Sequence, residues 1–260
     1  LKSDVRFVMI MKNSFGGMMM NIEKRAWHGY RIWNFEFEGM PAVVVEPKKE
    51  ANGKWLLKTE YFEAFPEFEF AMLEQGYYVA HVDNQSRWCL PTDTVRQAHF
   101  AHFLHNEFHF HEKCLPVGLS CGGMQAVYLA GMYPEVVAAL YLDAPVLNFL
   151  SCPGRVGKST FDYMHEFTAE TGMTIETLIN YRAHPIDYVP RLIAAKIPTM
   201  LVCGDSDVTV PYDENGKVLA EMFNQDENVP FLSILKSGCD HHPHGLENPA
   251  PLVEFAMTHY

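Results

Sequence analysis

The stretch VGLSCGG, residues 117–123, follows the apolar residues Leu115 and Pro116 and leads into MQAVYLAGMYP. It sets Gly118, Ser120 and Gly122 in a G-x-S-x-G spacing, with Gly123 behind. A hydroxyl raised on a strained turn between a strand and a helix needs small neighbours two positions to either side, because larger side chains would clash there. The N-terminus of the following helix favours negative charge developing beside it. The flanks suit that arrangement: LPVGLS reads as a buried strand, and GGMQAVYLAGMYP as a helix stopped before Pro134. A glycine-rich turn around a structural serine is the competing account, and the apolar strand and helix weigh against it.

Working outward, the same alternation repeats. KWLLKTE and YYVAHVD read as strands around FPEFEFAMLEQG, a helix ending at Gly76. TDTVRQAHFAHFLHNEF reads as a helix with Thr92 or Asp93 as its N-cap. Downstream, VAALYLDAPV, IPTMLVCGD and VPFLSILKSG read as strands, and DENGKVLAEMF and NPAPLVEFAMTHY as helices. Upstream, AWHGYRIWNFEFEGMPAVVVEP reads as a β-hairpin with Glu38-Gly39 in its middle. The fold class is therefore α/β: one domain with a mostly parallel central sheet, helices on both faces and one antiparallel edge. Residues 146–190 break the rhythm, being too long for a simple connection and helical in pattern. An insertion of that kind at the C-terminal edge of a sheet is expected to form a small cap over the site. Residues 1–25 form a Met-rich arm expected to pack on the body or on a partner subunit, which leaves a homodimer open.

Composition narrows the function. Lys and Arg number 20 against 32 Asp and Glu, a formal net charge of −12. That excess disfavours binding nucleic acid or an anionic membrane through bulk electrostatics. No apolar run approaches the length of a membrane span. The six cysteines form no C-x-x-C pair and read as free thiols of a reducing compartment. No signal-peptide cleavage site follows RFVMIMKNSFGGMMM, so a cytoplasmic location is expected.

A serine nucleophile needs a base, and the base needs an orienting acid. LVCGDSDVTVP follows a strand at the edge where Ser120 emerges, and offers Asp205 and Asp207. KSGCDHHPHG near the C-terminus offers His241, His242 and His244. The sequence from about Trp27 onward resembles the α/β-hydrolase superfamily, whose acid loop often reads G-x-x-D-x-x-V-P. Gly204, Asp207, Val210 and Pro211 fit that frame, so the resemblance implies Asp207 as the acid and Asp205 as a turn cap. Asp143 is the alternative, since some members carry the acid after that strand. The resemblance places the base at His241, with His242 next and His244 as a neighbour or pocket residue. Asp240 departs from the pattern, standing where a glycine is common. It also implies an oxyanion hole from the N–H of Cys121 and, on the loop KTEYFEAFP, that of Glu60 or Tyr61. Many members carry His-Gly on that loop and this chain does not. EYFEAFP and the HHPH loop together resemble bacterial hydrolases that include carbohydrate esterases.

Other motifs receive plainer readings. Cys239, His241 and His244 are zinc-ligand types, but an H-x-x-H with a proline inside is not a helical ligand pair, and no metal is expected. GRVGKST lacks the first glycine of a phosphate loop, Cys152 standing in its place. His99, His102, His105, His109 and His111 are expected on a solvated or half-buried helical face. Arg87 and Trp88 are candidate substrate contacts, with His244 beside them. The expected reaction is hydrolysis of a small or sugar-linked carboxylic ester through an acyl-enzyme, without a cofactor. A serine peptidase or amidase ranks second, since no propeller-type domain that would filter peptides is read in the sequence. A binding protein on the same scaffold ranks third.

Overall fold

Short apolar strands alternating with helices build one ten-stranded sheet in the computed structural model, which describes residues 6–9 and 20–260, with side chains from Ala26 onward. The strands are β1 (Arg6–Met9), β2 (Met20–Trp27), β3 (Tyr30–Phe37), β4 (Met40–Val45), β5 (Trp55–Lys58), β6 (Tyr78–Val82), β7 (Leu115–Leu119), β8 (Leu140–Asp143), β9 (Thr199–Gly204) and β10 (Phe231–Lys236). Their order is β1-β2-β3-β4-β6-β5-β7-β8-β9-β10. From β6 to β10 every pairing is parallel, and from β1 to the β4–β6 pair every pairing is antiparallel. The expected hairpin is thus a meander of three strands, turning at His28-Gly29 and again at Glu38-Gly39. Its first strand takes residues 20–25 of the expected arm into the sheet; residues 1–5 and 10–19 of that arm lie outside the described residues.

The helices are α1 (Glu67–Leu73), α2 (Pro91–Phe108), α3 (Cys121–Met132), α4 (Met164–Thr171), α5 (Ile175–Ile179), α6 (Val189–Ala194), α7 (Gly216–Phe223) and α8 (Ala250–His259). Alternate strand residues face opposite layers. Val44, Leu57 and Leu201 pack with α2, α3, α6 and α7. Val45, Leu56, Met200 and Val202 pack with α1 and α8 on the other face. The central strands β5, β7, β8 and β9 are buried along their whole length, which fixes where their C-terminal ends emerge. No described helix is long and apolar enough to cross a membrane.

Helix α2 starts earlier than its sequence suggests. Its N-cap is Leu90, not Thr92 or Asp93, because Pro91 has the fixed φ and missing N–H that suit a first helical residue. Asp93 sits in the first turn and accepts N–H bonds from Gln85 at 2.8 Å and Leu90 at 3.1 Å.

The segment between β8 and β9 carries α4, α5 and α6 and lies over the end of the sheet. Its core joins Phe149, Phe167 and Leu178 to Trp88 of the body. His184 anchors it: Nδ1 accepts the Phe149 N–H at 3.1 Å, so this nitrogen must be unprotonated. Burial holds the His184 pKa below its ordinary value of 6.5. The unfolded chain then takes up a proton first, so the anchor's contribution is full above about pH 6.5 and is lost as the pH falls below it. Glutamine can accept the same bond without titrating. The difference in Tm between the parent and His184→Gln is expected to shift in favour of the variant between pH 7 and 5. A constant difference would show that His184 does not titrate on unfolding.

Candidate active site

Ser120 stands between β7 and α3 at φ 52° and ψ −117°, a conformation that side chains seldom adopt. Glycine at position 118 is what lets the turn close, since a Cβ there would lie 2.4 Å from the Gly122 carbonyl oxygen. The Ser120 N–H donates to the Asp143 carbonyl at 2.9 Å, and its carbonyl accepts the Val146 N–H at 3.0 Å, pinning the elbow to β8. The hydroxyl therefore projects from a rigid position at the C-terminal end of the sheet.

His241 arrives from the loop after β10. Its Nε2 lies 3.0 Å from Ser120 Oγ, and its Nδ1 lies 2.7 Å from Asp207 Oδ2. A carboxylate only accepts, so Nδ1 carries the proton and the Nε2 lone pair faces the serine hydroxyl. The other Asp207 oxygen accepts the N–H groups of Thr209 and Val210, each at 2.8 Å, which fixes the carboxylate plane. All three groups come from loops at one sheet edge, in the chain order Ser120, Asp207, His241.

The acid and base loops are locked together by two features that local pattern did not reveal. A Cβ at Gly204 would lie 2.2 Å from the Cys239 carbonyl oxygen, so only glycine permits this approach. Asp240 Oδ1 accepts the Val208 N–H at 3.1 Å and the His241 N–H at 2.7 Å. Those two N–H groups hold its pKa below the ordinary carboxylate value. The residue that departs from the common glycine is thus a clamp between the two loops. Asp205 ties the same turn to the Gly238 N–H at 2.7 Å.

The remaining histidines separate clearly. His244 Nδ1 lies 2.7 Å from Asp143 Oδ1, and both side chains are buried. Asp143 also accepts the Tyr141 hydroxyl at 3.0 Å and the Gly245 N–H at 2.7 Å. It therefore serves His244, not the histidine beside Ser120. His242 is exposed and stacks on Phe65, at 5.6 Å between ring centroids and 15° between planes.

The oxyanion candidates converge on the same place. Cys121 is the first residue of α3, where an N–H has no partner inside the helix. Burial pushes its thiol up to about 11, so it stays protonated near neutral pH and offers backbone, not a thiolate. The loop carrying Glu60 and Tyr61 leans on the elbow: a Cβ at Gly122 would lie 3.1 Å from Glu60 Cβ and 3.4 Å from its backbone nitrogen. Behind it, Glu60 Oε2 accepts Asn84 Nδ2 at 2.9 Å and Gln125 Nε2 at 2.6 Å. Gln97 joins through Asn84 Oδ1 and Gln125 Oε1, each at 3.0 Å. The sequence signal for this buried network was Gln125, a lone amide within the apolar helix α3.

A cavity of about 280 Å³ opens above Ser120, walled by Tyr61, Phe65, Trp88, Val146, Tyr163 and Val210, with Arg87 and His244 at its margin. Trp88 is buried and donates from Nε1 to Glu166 of α4 at 2.8 Å. Arg87 grips the same carboxylate through both Nε and Nη2. That grip holds Glu166 below its ordinary pKa. Arg87 and Trp88 thus tie the cap to the body while lining the cavity. The glycine-rich stretch in the cap is no phosphate site: Lys158 pairs with Asp213 at 2.5 Å and its N–H donates to Glu214 at 2.7 Å. Among the described residues, the histidines of α2 form no metal-ligand group.

Residues 95–250 match the model of the prolyl oligopeptidase family, a span that includes Ser120, Asp207 and His241. Solved structures with the same fold include a puromycin hydrolase (TM-score 0.65, 17% identity, 90% of this chain and 38% of the other). They also include the acylaminoacyl peptidase of Pyrococcus horikoshii (0.62, 13%, 93% and 46%). A third is Est1E from Butyrivibrio proteoclasticus (0.61, 16%, 92% and 98%). The chain spans less than half the length of the first two and nearly all of the third. No curated protein sequence matches it.

Proposed function

Because the chain belongs to the prolyl oligopeptidase family and is a serine hydrolase of the α/β-hydrolase fold, we propose that it cleaves small or sugar-linked carboxylic esters through an acyl-enzyme. The observation that carries the mechanism is the unbroken hydrogen-bond chain from Ser120 Oγ through His241 to Asp207. Ser120 Oγ attacks the ester carbonyl carbon while His241 Nε2 takes its proton. The carbonyl oxygen becomes an anion held by the N–H of Cys121 and that of Glu60 or Tyr61. The carbon–oxygen bond to the alcohol breaks, and His241 returns the proton to the leaving alkoxide. Water then attacks the acyl-enzyme, again losing its proton to His241, and releases the acid and Ser120. Asp207 keeps the imidazole in the required tautomer and stabilises its positive charge.

The cavity walls support a neutral ester over a peptide that presents a free amino terminus. No carboxylate lines the cavity among the described residues, so a substrate ammonium finds no counter-ion there, whereas a neutral ester needs none. Tyr61, Phe65, Trp88 and Tyr163 offer flat faces against which a sugar or aryl ring packs. A serine peptidase or amidase is the second reading, favoured by the family itself and by the peptidase among the similar structures. A binding protein without turnover is the weakest, since binding alone requires no serine–histidine–aspartate chain.

Two measurements test this. A fluorophosphonate probe is expected to label Ser120, with labelling collapsing in His241→Ala and surviving in His242→Ala. Absence of labelling in the folded parent would refute the nucleophile. An aryl acetate is expected to turn over faster than the matching anilide; faster anilide cleavage would move the chain to the amidases.

A further inference from the structure

We propose that His241, His242 and His244 together form a binding site for a divalent transition-metal ion of the zinc class, and that its occupancy reversibly switches the hydrolase off. The ligand atoms of these three side chains all lie within 4.8 Å of one another, the one such group among the described residues. The ring centroids form a nearly equilateral triangle with sides of 4.9, 4.8 and 4.8 Å.

The support behind the rings matters as much as their spacing. His241 and His244 each direct Nδ1 at a buried carboxylate, Asp207 and Asp143, at 2.7 Å in both cases. Each therefore presents the lone pair of Nε2 forward. A carboxylate behind an imidazole whose other nitrogen faces a metal is the recurrent arrangement around zinc, where it fixes the tautomer and raises ligand basicity. The hydrolase mechanism uses one such pair. It leaves the His244–Asp143 pair, buried against the first and opening on the same cavity, without a role. His242 supplies a third imidazole, exposed and with no hydrogen-bond partner in the described structure. Tetrahedral coordination at about 2.0–2.1 Å sets ligand nitrogens roughly 3.4 Å apart. The widest pair of ligand atoms must therefore close by up to about 1.4 Å, a movement in which the exposed His242 side chain has the most freedom and the two anchored rings share. Two buried carboxylates behind three neutral rings also offset the charge of a dication.

The consequence for turnover follows from one lone pair. His241 Nε2 faces Ser120 Oγ at 3.0 Å and cannot bind a metal and accept the serine proton together. An ion on the three rings leaves Ser120 without its base.

The switch rests on the hydrolase reading; the site itself does not, so binding and turnover are measured separately. Calorimetry with zinc chloride on the full chain and on Ser120→Ala is expected to find one ion per chain. Aryl acetate turnover and fluorophosphonate labelling of the parent are expected to fall together as zinc is added, and to return with EDTA. His242→Ala is expected to weaken both zinc binding and inhibition at least about tenfold, each relative to that variant's own metal-free state. Unchanged affinity in His242→Ala would overturn the site. Binding without loss of turnover would overturn the switch, as would activity that EDTA destroys, because the metal would then be catalytic. Zinc binding that depends on His242 in a chain showing neither turnover nor labelling when metal-free would sink the hydrolase reading and the switch together, leaving the site.

Discussion

Ser120→Ala is expected to lose on the order of 10⁶ in kcat against an aryl acetate, as removal of a nucleophile does when nucleophile, base and acid act as a unit. Asp207→Asn is expected to lose about 10⁴, because the amide can donate to Nδ1 and turn the imidazole to the wrong tautomer. Asp143→Asn supplies the internal control. Both aspartates are buried, Asp143 ending a parallel strand and Asp207 just beyond one, and both bond a histidine of the same loop at 2.7 Å. Only the histidine on Asp207 reaches Ser120, so Asp143→Asn should cost far less. Steady-state kinetics on the three variants, with circular dichroism to show that each is folded, decides the matter. Equal losses at Asp143 and Asp207 would mean that the acid is wrongly placed.

The second large effect concerns stability. Lys58 ends β5 just before the loop of Glu60 and Tyr61, and its side chain is 0% exposed. It pairs with Glu69 of α1, itself 3% exposed, and donates to the Ala64 carbonyl at 3.0 Å. Lys58→Met preserves the bulk and leaves Glu69 as a buried charge without its partner, at an expected cost of about 3–5 kcal/mol. Lys58→Met with Glu69→Leu removes both charges and is expected to recover most of that loss. Neither variant restores the tether to Ala64, so the double variant should be stable yet slow. Urea denaturation provides the stabilities. A double variant as unstable as the single one would show that packing, not charge, holds this corner.

Why some of this was legible in the sequence and some was not follows from range. Gly118, Ser120 and Gly122 act on each other across four positions, so the elbow is written locally. Gly204, Asp207, Val210 and Pro211 were legible through the resemblance of their spacing to the family's acid loop, although what demands glycine at 204 is the distant Cys239 carbonyl. The alternation of strands and helices announced a mostly parallel sheet with an antiparallel edge, and the structure has both, while the swap that sets β6 between β4 and β5 left no local trace. Interactions between distant segments left no such trace. Glu60 meets Gln125 across 65 positions, and His244 meets Asp143 across 101. Asp240 looked like a departure from a pattern because its partner Val208 lies 32 residues away. Trp88 read only as a candidate substrate contact, because the α4 helix it ties to the body comes 78 positions later, through Glu166. The early start of α2 is a different kind of miss: Pro91 carried the signal, and the polar Thr92 and Asp93 drew attention from it.

The segment between β8 and β9 supplies Val146, Cys152 and Tyr163 to the cavity and none of the three groups in the Ser120–His241–Asp207 chain. It meets the body through a shared apolar core around Trp88 and through polar ties, among them Glu166 gripped by Arg87 and Trp88, and Lys158 paired with Asp213. Part of what the protein accepts is therefore encoded on a stretch of chain separate from the groups that react. Drift within the roof can exchange one clientele for another while the reactive floor stays intact. Over generations, such a division lets a lineage diversify its diet without passing through an inert ancestor.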